Sequence, residues 1–300
     1  MKKFWTVFLT ALIGIPIMNT AALAEAEIFA FKLGDAEFIS FVTSRRNISD
    51  DTFTTPELLE KYKKTPGYAA SAINYFLLKD KGEYTLFDAG LGKSADDDIV
   101  ANLAKVGVKP SEIKRIFLTH MHGDHIGGLI DNNKVVFPNA LLYISNDEMS
   151  YWRNQGDKLA VQVMTLYEKN NALKGFFFGD RPITPFIQHH ALIGHTPGHV
   201  YYIVGETYAA AKSPEDSVKN IIWVVGDIIH ADIQFTEPKI ALRYDVDPAT
   251  AYLARRVTLI GAAVTKARIA GMHLSGSGVG KVERPDGKVE SFRFIPINGD

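Results

Sequence analysis

Hydrophobic and polar positions along the chain follow two rhythms. Short apolar runs bounded by turn residues predict strands over Glu27–Leu33, Ala36–Val42, Ser71–Leu78, Tyr84–Phe87, Ile113–Leu118, Ala140–Ile144, Val200–Val204, Asn220–Val225 and Arg268–Met272. Spacings of three and four predict helices over Ser94–Val106, Asn146–Arg153, Lys158–Lys169 and Pro248–Lys266, the last being the longest. In the first of these, Ile99, Val100, Leu103 and Val106 share one face. Ile240–Asp245 reads as a short strand, Tyr208–Lys219 as a polar insertion or hairpin, and Lys281–Glu283 with Val289–Phe294 as a closing hairpin around Asp286-Gly287. Ser44–Gly67 is polar and broken by Pro56 and Pro66, with a short helical pattern at Glu57–Tyr62. It reads as an excursion over the surface, a candidate lid or homodimer contact. The element order describes two mixed halves, hence two sheets packed together with helices outside. No repeat or long linker divides residues 25–300, which are expected to form a single domain.

The first 24 residues stand apart. Lys2 and Lys3 precede an apolar run from Phe4 to Met18, and Ala22-Leu23-Ala24 fits a small-x-small cleavage site. The run is short for a membrane span and contains Pro16. It is expected to be a signal peptide, leaving no membrane span after cleavage and a net charge of −3 instead of −1. Lys+Arg 33 against Asp+Glu 34 gives no basic excess and does not suggest a nucleic-acid partner. The absence of cysteine excludes disulfides, a thiolate nucleophile and cysteine-ligated zinc. A periplasmic or secreted location is expected, the periplasm suiting an exported chain without disulfides.

The chemistry concentrates in Leu118-Thr119-His120-Met121-His122-Gly123-Asp124-His125. His120 and His122 are two apart, so an extended segment projects them to one side. Asp124 and His125 follow where the chain turns into a helix. Imidazole and carboxylate suit zinc and similar transition ions, with manganese, cobalt and iron as alternatives. Asp227, His199 and His273 each lie at the end of, or just before, an apolar strand. Together these seven residues would serve two divalent metal ions, zinc being the first candidate. His120, His122 and His199 would hold one; Asp124, His125 and His273 would hold the other; Asp227 would bridge them. Two such ions can share a water and lower its pKa, so that a bridging hydroxide forms near neutral pH.

Thr119 through His125, the block His195-Thr196-Pro197-Gly198-His199, Gly226-Asp227 and His273 resemble the metallo-β-lactamase superfamily. The resemblance covers nearly all of the chain beyond residue 24. It implies an α/β four-layer αββα sandwich of two mixed sheets, with a dinuclear site at one edge. Gly226 through Ala231, Gln234-Phe235 and Phe292 through Asn298 further resemble methyl parathion hydrolase-like exported enzymes. Matching the His-Thr-Pro-Gly-His block by its last histidine selects His199 over His195, with Gly198 shaping the turn that aims it. The resemblance also implies that Asp88, in an Asp-Ala-Gly turn, orients a ligand histidine; Thr119 is a second candidate for that role.

The implied function is hydrolysis of neutral small-molecule esters, phosphotriesters or related compounds. Asp124 would act as a ligand that can accept a proton, and His230 as a proton or hydrogen-bond donor. An alternative is a quorum-quenching N-acyl-homoserine lactonase or other lactonase. Those enzymes typically carry tyrosine three residues after the bridging aspartate, where this chain has His230. A third reading is a non-catalytic exported metal-binding protein. His189 and His190 read as solvated. The aromatics Tyr151-Trp152 and Phe176-Phe177-Phe178 read as core, or else as an apolar substrate wall.

Overall fold

The computed structural model describes residues 26–93, 97–205, 220–285 and 290–299. The expected signal segment, the 208–219 insertion and the Asp286-Gly287 turn lie outside them. Fifteen strands are described, β1 to β15. A seven-stranded sheet runs β1-β2-β3-β4-β5-β8-β9 and a six-stranded sheet β10-β11-β12-β13-β14-β15. Their strands are Glu27–Leu33, Ala36–Asn47, Ala70–Asp80, Glu83–Phe87, Ile113–Phe117, Leu141–Ser145 and Leu173–Phe176, then Ile187–Ala191, Val200–Gly205, Ile221–Val224, Arg268–Ala270, Val279–Glu283 and Arg293–Pro296. The short pair Ile130–Asp131 (β6) and Lys134–Val135 (β7) stands alone.

Alternation along each strand assigns the layers. In β3, Phe76 and Leu78 face the interior between the sheets, where they meet Phe87, Phe117, Tyr202, Val204 and Val224. Tyr75 and Leu77 point the other way, toward Ile99 and Leu103 of the helix Ile99–Lys105 and toward Val163 of Lys158–Lys169. On the second sheet, Ile269 faces Leu259 and Ala262 of the long helix Pro248–Thr265. The layers are therefore helices, sheet, sheet, helix, as the element order implied. Among the described residues no helix is long and apolar enough to cross a membrane.

Strand register decides what gathers at one edge. Val224 of β12 pairs in parallel with Ala270 of β13, so Asp227 and His273, each three residues further on, emerge side by side. Phe87 of β4 pairs in parallel with Phe117 of β5, which places Asp88 beside the start of the Thr119–His125 loop. Ligand sites in α/β sheets commonly form beyond such strand ends. Backbone bonds stitch the two sheets together there. Val200 N–H donates to the Thr119 carbonyl (3.0 Å), Asn74 N–H to Met272 (2.8 Å) and Ala72 N–H to His273 (3.3 Å).

A buried carboxylate fastens the two histidine loops to each other. Glu148 sits in the first turn of Asn146–Gln155, capped by Ser145. Its Oε1 accepts from Met121 N–H (2.9 Å) and from the Trp152 indole; its Oε2 accepts from Thr196 Oγ1 (2.6 Å) and Gly198 N–H (3.1 Å). A Cβ on Gly198 would lie 2.1 Å from Glu148 N, so glycine is required there by close packing. Gly198 lies in a turn, as expected, but not at positive φ, so close packing and not backbone freedom is what requires glycine.

Other departures have local causes. Ile240–Asp245 is a loop with one isolated bridge, Leu242 to Phe53. Its apolar residues, Ile240 and Leu242, pack against Phe53 and Leu59 of the excursion, which mimics a strand pattern. β9 and β10 escaped the pattern because Leu-Lys-Gly-Phe and Ile-Gln-His-His-Ala are short and polar. His189 is buried, its ring 4.5 Å from Phe176, and not solvated as expected. The excursion folds back onto its own chain. Phe176 and Trp152 are core, and Phe177 is exposed.

Glu148→Ala would leave four buried donors without their acceptor. The expected result is a loss of about 3 kcal/mol in unfolding free energy, read from urea melts. A loss below about 0.5 kcal/mol would show that the loops are held by other means.

Candidate metal centre

Three imidazole nitrogens converge at the edge where the sheets meet. His120 Nε2 lies 2.8 Å from His122 Nδ1, His122 Nδ1 lies 2.9 Å from His195 Nε2, and His195 Nε2 lies 3.1 Å from His120 Nε2. Burial drives the His120 imidazolium well below the usual histidine range and that of His122 down to about 3. At neutral pH these rings are uncharged and present lone pairs. Lone pairs held this close repel one another unless a cation lies among them.

A second group lies alongside. His273 Nε2 is 3.4 Å from Asp124 Oδ2, and His125 Nε2 is 3.8 Å from Asp124 Oδ1. Asp227 stands between the groups. Its Oδ1 is 3.1 Å from His125 Nε2, and its Oδ2 is 3.0 Å from His273 Nε2, 3.5 Å from His195 Nε2 and 3.7 Å from His120 Nε2. Although burial opposes it, His125 and His273 hold the Asp227 carboxyl well below its ordinary range. Conversely, Asp227 and Asp88 outweigh burial and keep His125 protonated to well above the usual range. The carboxylates thus call for positive charge at this spot. His230 Nδ1 is buried without a hydrogen-bond partner, and His125 Nε2, His230 Nε2 and Asp227 Oδ1 have only the close contacts between these rings and Asp227. Nitrogen and carboxylate donors in this number, with unsatisfied atoms aimed inward, fit two divalent cations.

The far side of three of the rings is anchored, which fixes their tautomers. His125 Nδ1–H donates to Asp88 Oδ2 (2.6 Å), His273 Nδ1–H to the Ala72 carbonyl (2.8 Å), and His195 Nδ1–H to Asp245 Oδ1 (2.9 Å). Asp88 also accepts from the Thr119 amide (2.8 Å) and hydroxyl (2.7 Å). It is the orienting group expected from its turn, and Thr119 acts through it.

His199 does not join the cluster, which corrects its expected role. Its Nδ1–H donates to the Leu192 carbonyl (3.0 Å) and its Nε2 accepts from Asp227 N–H (3.1 Å). Both nitrogens are occupied by backbone, so no lone pair remains for a cation. Burial holds its pKa down to about 3, which keeps it the neutral acceptor that Asp227 N–H needs. Gly226 adopts a φ of 55°, and a Cβ there would lie 2.3 Å from His199 Nε2. His199 thus orients Asp227, and His195 takes the place assigned to it. The His-Thr-Pro-Gly-His block offered both histidines. The one abutting the β11 strand is tied up by backbone, while the one four residues earlier is free to project. Glu148 and Asp245 had no distinguishing signal, each looking like an ordinary acid beside a helix start.

The cluster forms the floor of a cavity of about 470 Å³. Its walls include Arg46, Ile48, Thr52, Leu91 and Tyr244, so the excursion supplies one side. His230 lies on the floor, stacked on His273 at 5.2 Å, with Nε2 3.3 Å from Asp227 Oδ2. Tyr151, Trp152 and the Phe176–Phe178 triplet do not line it.

Residues 69–210 match the family model described as the metallo-beta-lactamase superfamily. A solved hydrolase of the beta lactamase superfamily, AbOPH, superposes with a TM-score of 0.77 at 27% identity, covering 91% of this chain and 98% of that one. AidC, a dizinc quorum-quenching lactonase solved with a homoserine product, superposes with a TM-score of 0.75 at 26% identity and the same coverage, 91% and 98%. Ribonuclease Z of Bacillus thuringiensis (strain Al Hakam) is 40% identical over 63 residues, which is 21% of this chain but only 19% of that enzyme. With its two facing sheets and its edge cluster of histidines and aspartates, the chain is similar in fold to these solved hydrolases and matches the metallo-β-lactamase superfamily over residues 69–210.

Proposed function

We propose that this chain is a metal-dependent hydrolase that cleaves small-molecule esters with two divalent ions, zinc in the first instance. The observation that carries the reading is the convergence of three histidine nitrogens within 2.8–3.1 Å beside Asp227, on the floor of an open cavity. His120, His122 and His195 would hold one ion, Asp124, His125 and His273 the other, and Asp227 both. Bound there, the ions supply Lewis acidity toward a carbonyl or phosphoryl oxygen and make water nucleophilic near neutral pH.

The chain's own side chains do the rest. The cavity opens to solvent on one side and admits a ligand of modest size. Burial lowers the His230 pKa to about 4, so at neutral pH the ring is uncharged. It offers one N–H hydrogen bond to a developing negative oxygen and cannot serve as a charged proton donor. Of the two roles weighed for His230, this favours the hydrogen-bond donor. Asp124, partly exposed at the cavity side of its group, can accept a proton released there. The likeness to AbOPH and to the lactonase AidC, both over nearly their full length, supports ester chemistry. Phosphotriesters and related neutral esters are the first substrate class. Lactones are the second, favoured by the AidC likeness and opposed by His230 at the position expected to be tyrosine. The Lys2-Lys3 start and the following apolar run support action outside the cytoplasm.

Two experiments test the reading. Elemental analysis of purified protein should find two ions per chain. His195→Ala should lose at least one of them and reduce turnover by about 100-fold or more, whereas His199→Gln should retain both. Loss of metal in His199→Gln with full metal in His195→Ala would reverse the ligand assignment. Metal-loaded protein should hydrolyse at least one of an aryl phosphotriester, an N-acyl-homoserine lactone and an aryl carboxylic ester. Turnover of none of the three would count against an esterase.

A further inference from the structure

The most deeply buried charge in the second half of the molecule belongs to helix Pro248–Thr265, outside the cluster. Arg255 is 0% exposed. Its Nε donates to the Ile228 carbonyl (2.5 Å), one residue beyond Asp227, and its Nη1 to the Pro238 carbonyl (2.7 Å). Its Nη2 reaches Asp245 Oδ2 at 3.4 Å. The other oxygen of Asp245 accepts from His195 Nδ1–H at 2.9 Å. A guanidinium removed from water costs several kcal/mol unless its partners compensate. Here one partner, Asp245, leads through its carboxylate to one ring of the cluster.

We propose that Asp245 and Arg255 are a positioning pair that sets the ring of His195 and thereby the affinity of the three-histidine group alone. Asp245 holds the Nδ1–H tautomer, leaves Nε2 facing His120 and His122, and makes that nitrogen a stronger donor. Arg255 fixes the carboxylate from behind. Its planar fork spans Ile228, Pro238 and Asp245 at once, a geometry lysine cannot reproduce. The neighbouring group is steadied by other means, His125 by Asp88 and His273 by the Ala72 carbonyl, so it should not feel the pair. The long helix is in this way coupled to one of the two ion positions and not to the other. The inference rests on the two-ion reading above.

Asp245→Asn tests it, because the amide keeps the shape and an acceptor oxygen but loses the charge. Metal-free protein is titrated with Co²⁺, followed by its visible absorption, and with Zn²⁺ against a competing chelator. The expected result is one ion bound about 10–100-fold more weakly, with the other unchanged and the cobalt spectrum altered for the weakened ion only. Arg255→Lys should weaken the same ion. Arg256→Gln, next in the chain and paired with Glu290 at the surface, should weaken neither. Two ions bound by folded Asp245→Asn as tightly as by the wild type, or both weakened in parallel, would overturn the proposal. A wild type that binds fewer than two ions would overturn the two-ion reading instead, and this proposal with it. Should Asp245→Asn not fold, ¹⁵N-histidine NMR of the zinc-loaded wild type decides. The His195 proton is expected on Nδ1 and slow to exchange; an Nε2–H tautomer there contradicts the proposal.

Discussion

Imidazole nitrogens with unshared lone pairs do not gather in a protein interior without positive charge among them. In this chain His120, His122 and His195 do so, and two aspartates close the same space. Burial strips the water that would otherwise satisfy these atoms, and among the described residues no lysine or arginine reaches the centre; Arg46 comes only within 4.0 Å of Asp124 at the cavity side. The cluster is thus an arrangement of donors suited to cations, and much of the surrounding structure serves to keep it from relaxing apart.

That service is divided among elements far apart in the chain. Parallel pairing of β12 with β13 brings Asp227 and His273 to one edge. Parallel pairing of β4 with β5 brings Asp88 up to Thr119 and His125. Glu148 ties the loop of His120 and His122 to the loop of His195. His199 holds the backbone of Asp227, and Gly226 leaves room for its ring. Each contact is modest alone. Together they fix several side chains from both sheets at separations near 3 Å, which is the pre-organisation a reactive centre requires.

The two-layer core was legible because period-two alternation survives in long strands such as β2 and β3 and because the helices keep their apolar faces. The ligand motif was legible from the two-residue spacing of His120 and His122. The choice between His195 and His199 was not, since both precede the same strand by a few residues. It depends on which ring the β11 backbone and the Asp227 amide capture, a tertiary fact. Glu148 and Asp245 were hidden for a similar reason. Burial distinguishes them, and burial of an acid is set by what packs over it. Ile240–Asp245 misled in the opposite direction, because a loop packed against the excursion buries a short apolar run, Ile240-Ala241-Leu242, just as a strand would.

The most direct test is anomalous diffraction from crystals of metal-loaded protein at the absorption edge of the bound element. Two peaks are expected. One should lie among His120 Nε2, His122 Nδ1 and His195 Nε2, the other among Asp124, His125 and His273, with Asp227 between them. A peak coordinated by His199, or a loaded protein with no peak beside His195, would contradict the arrangement proposed for this centre.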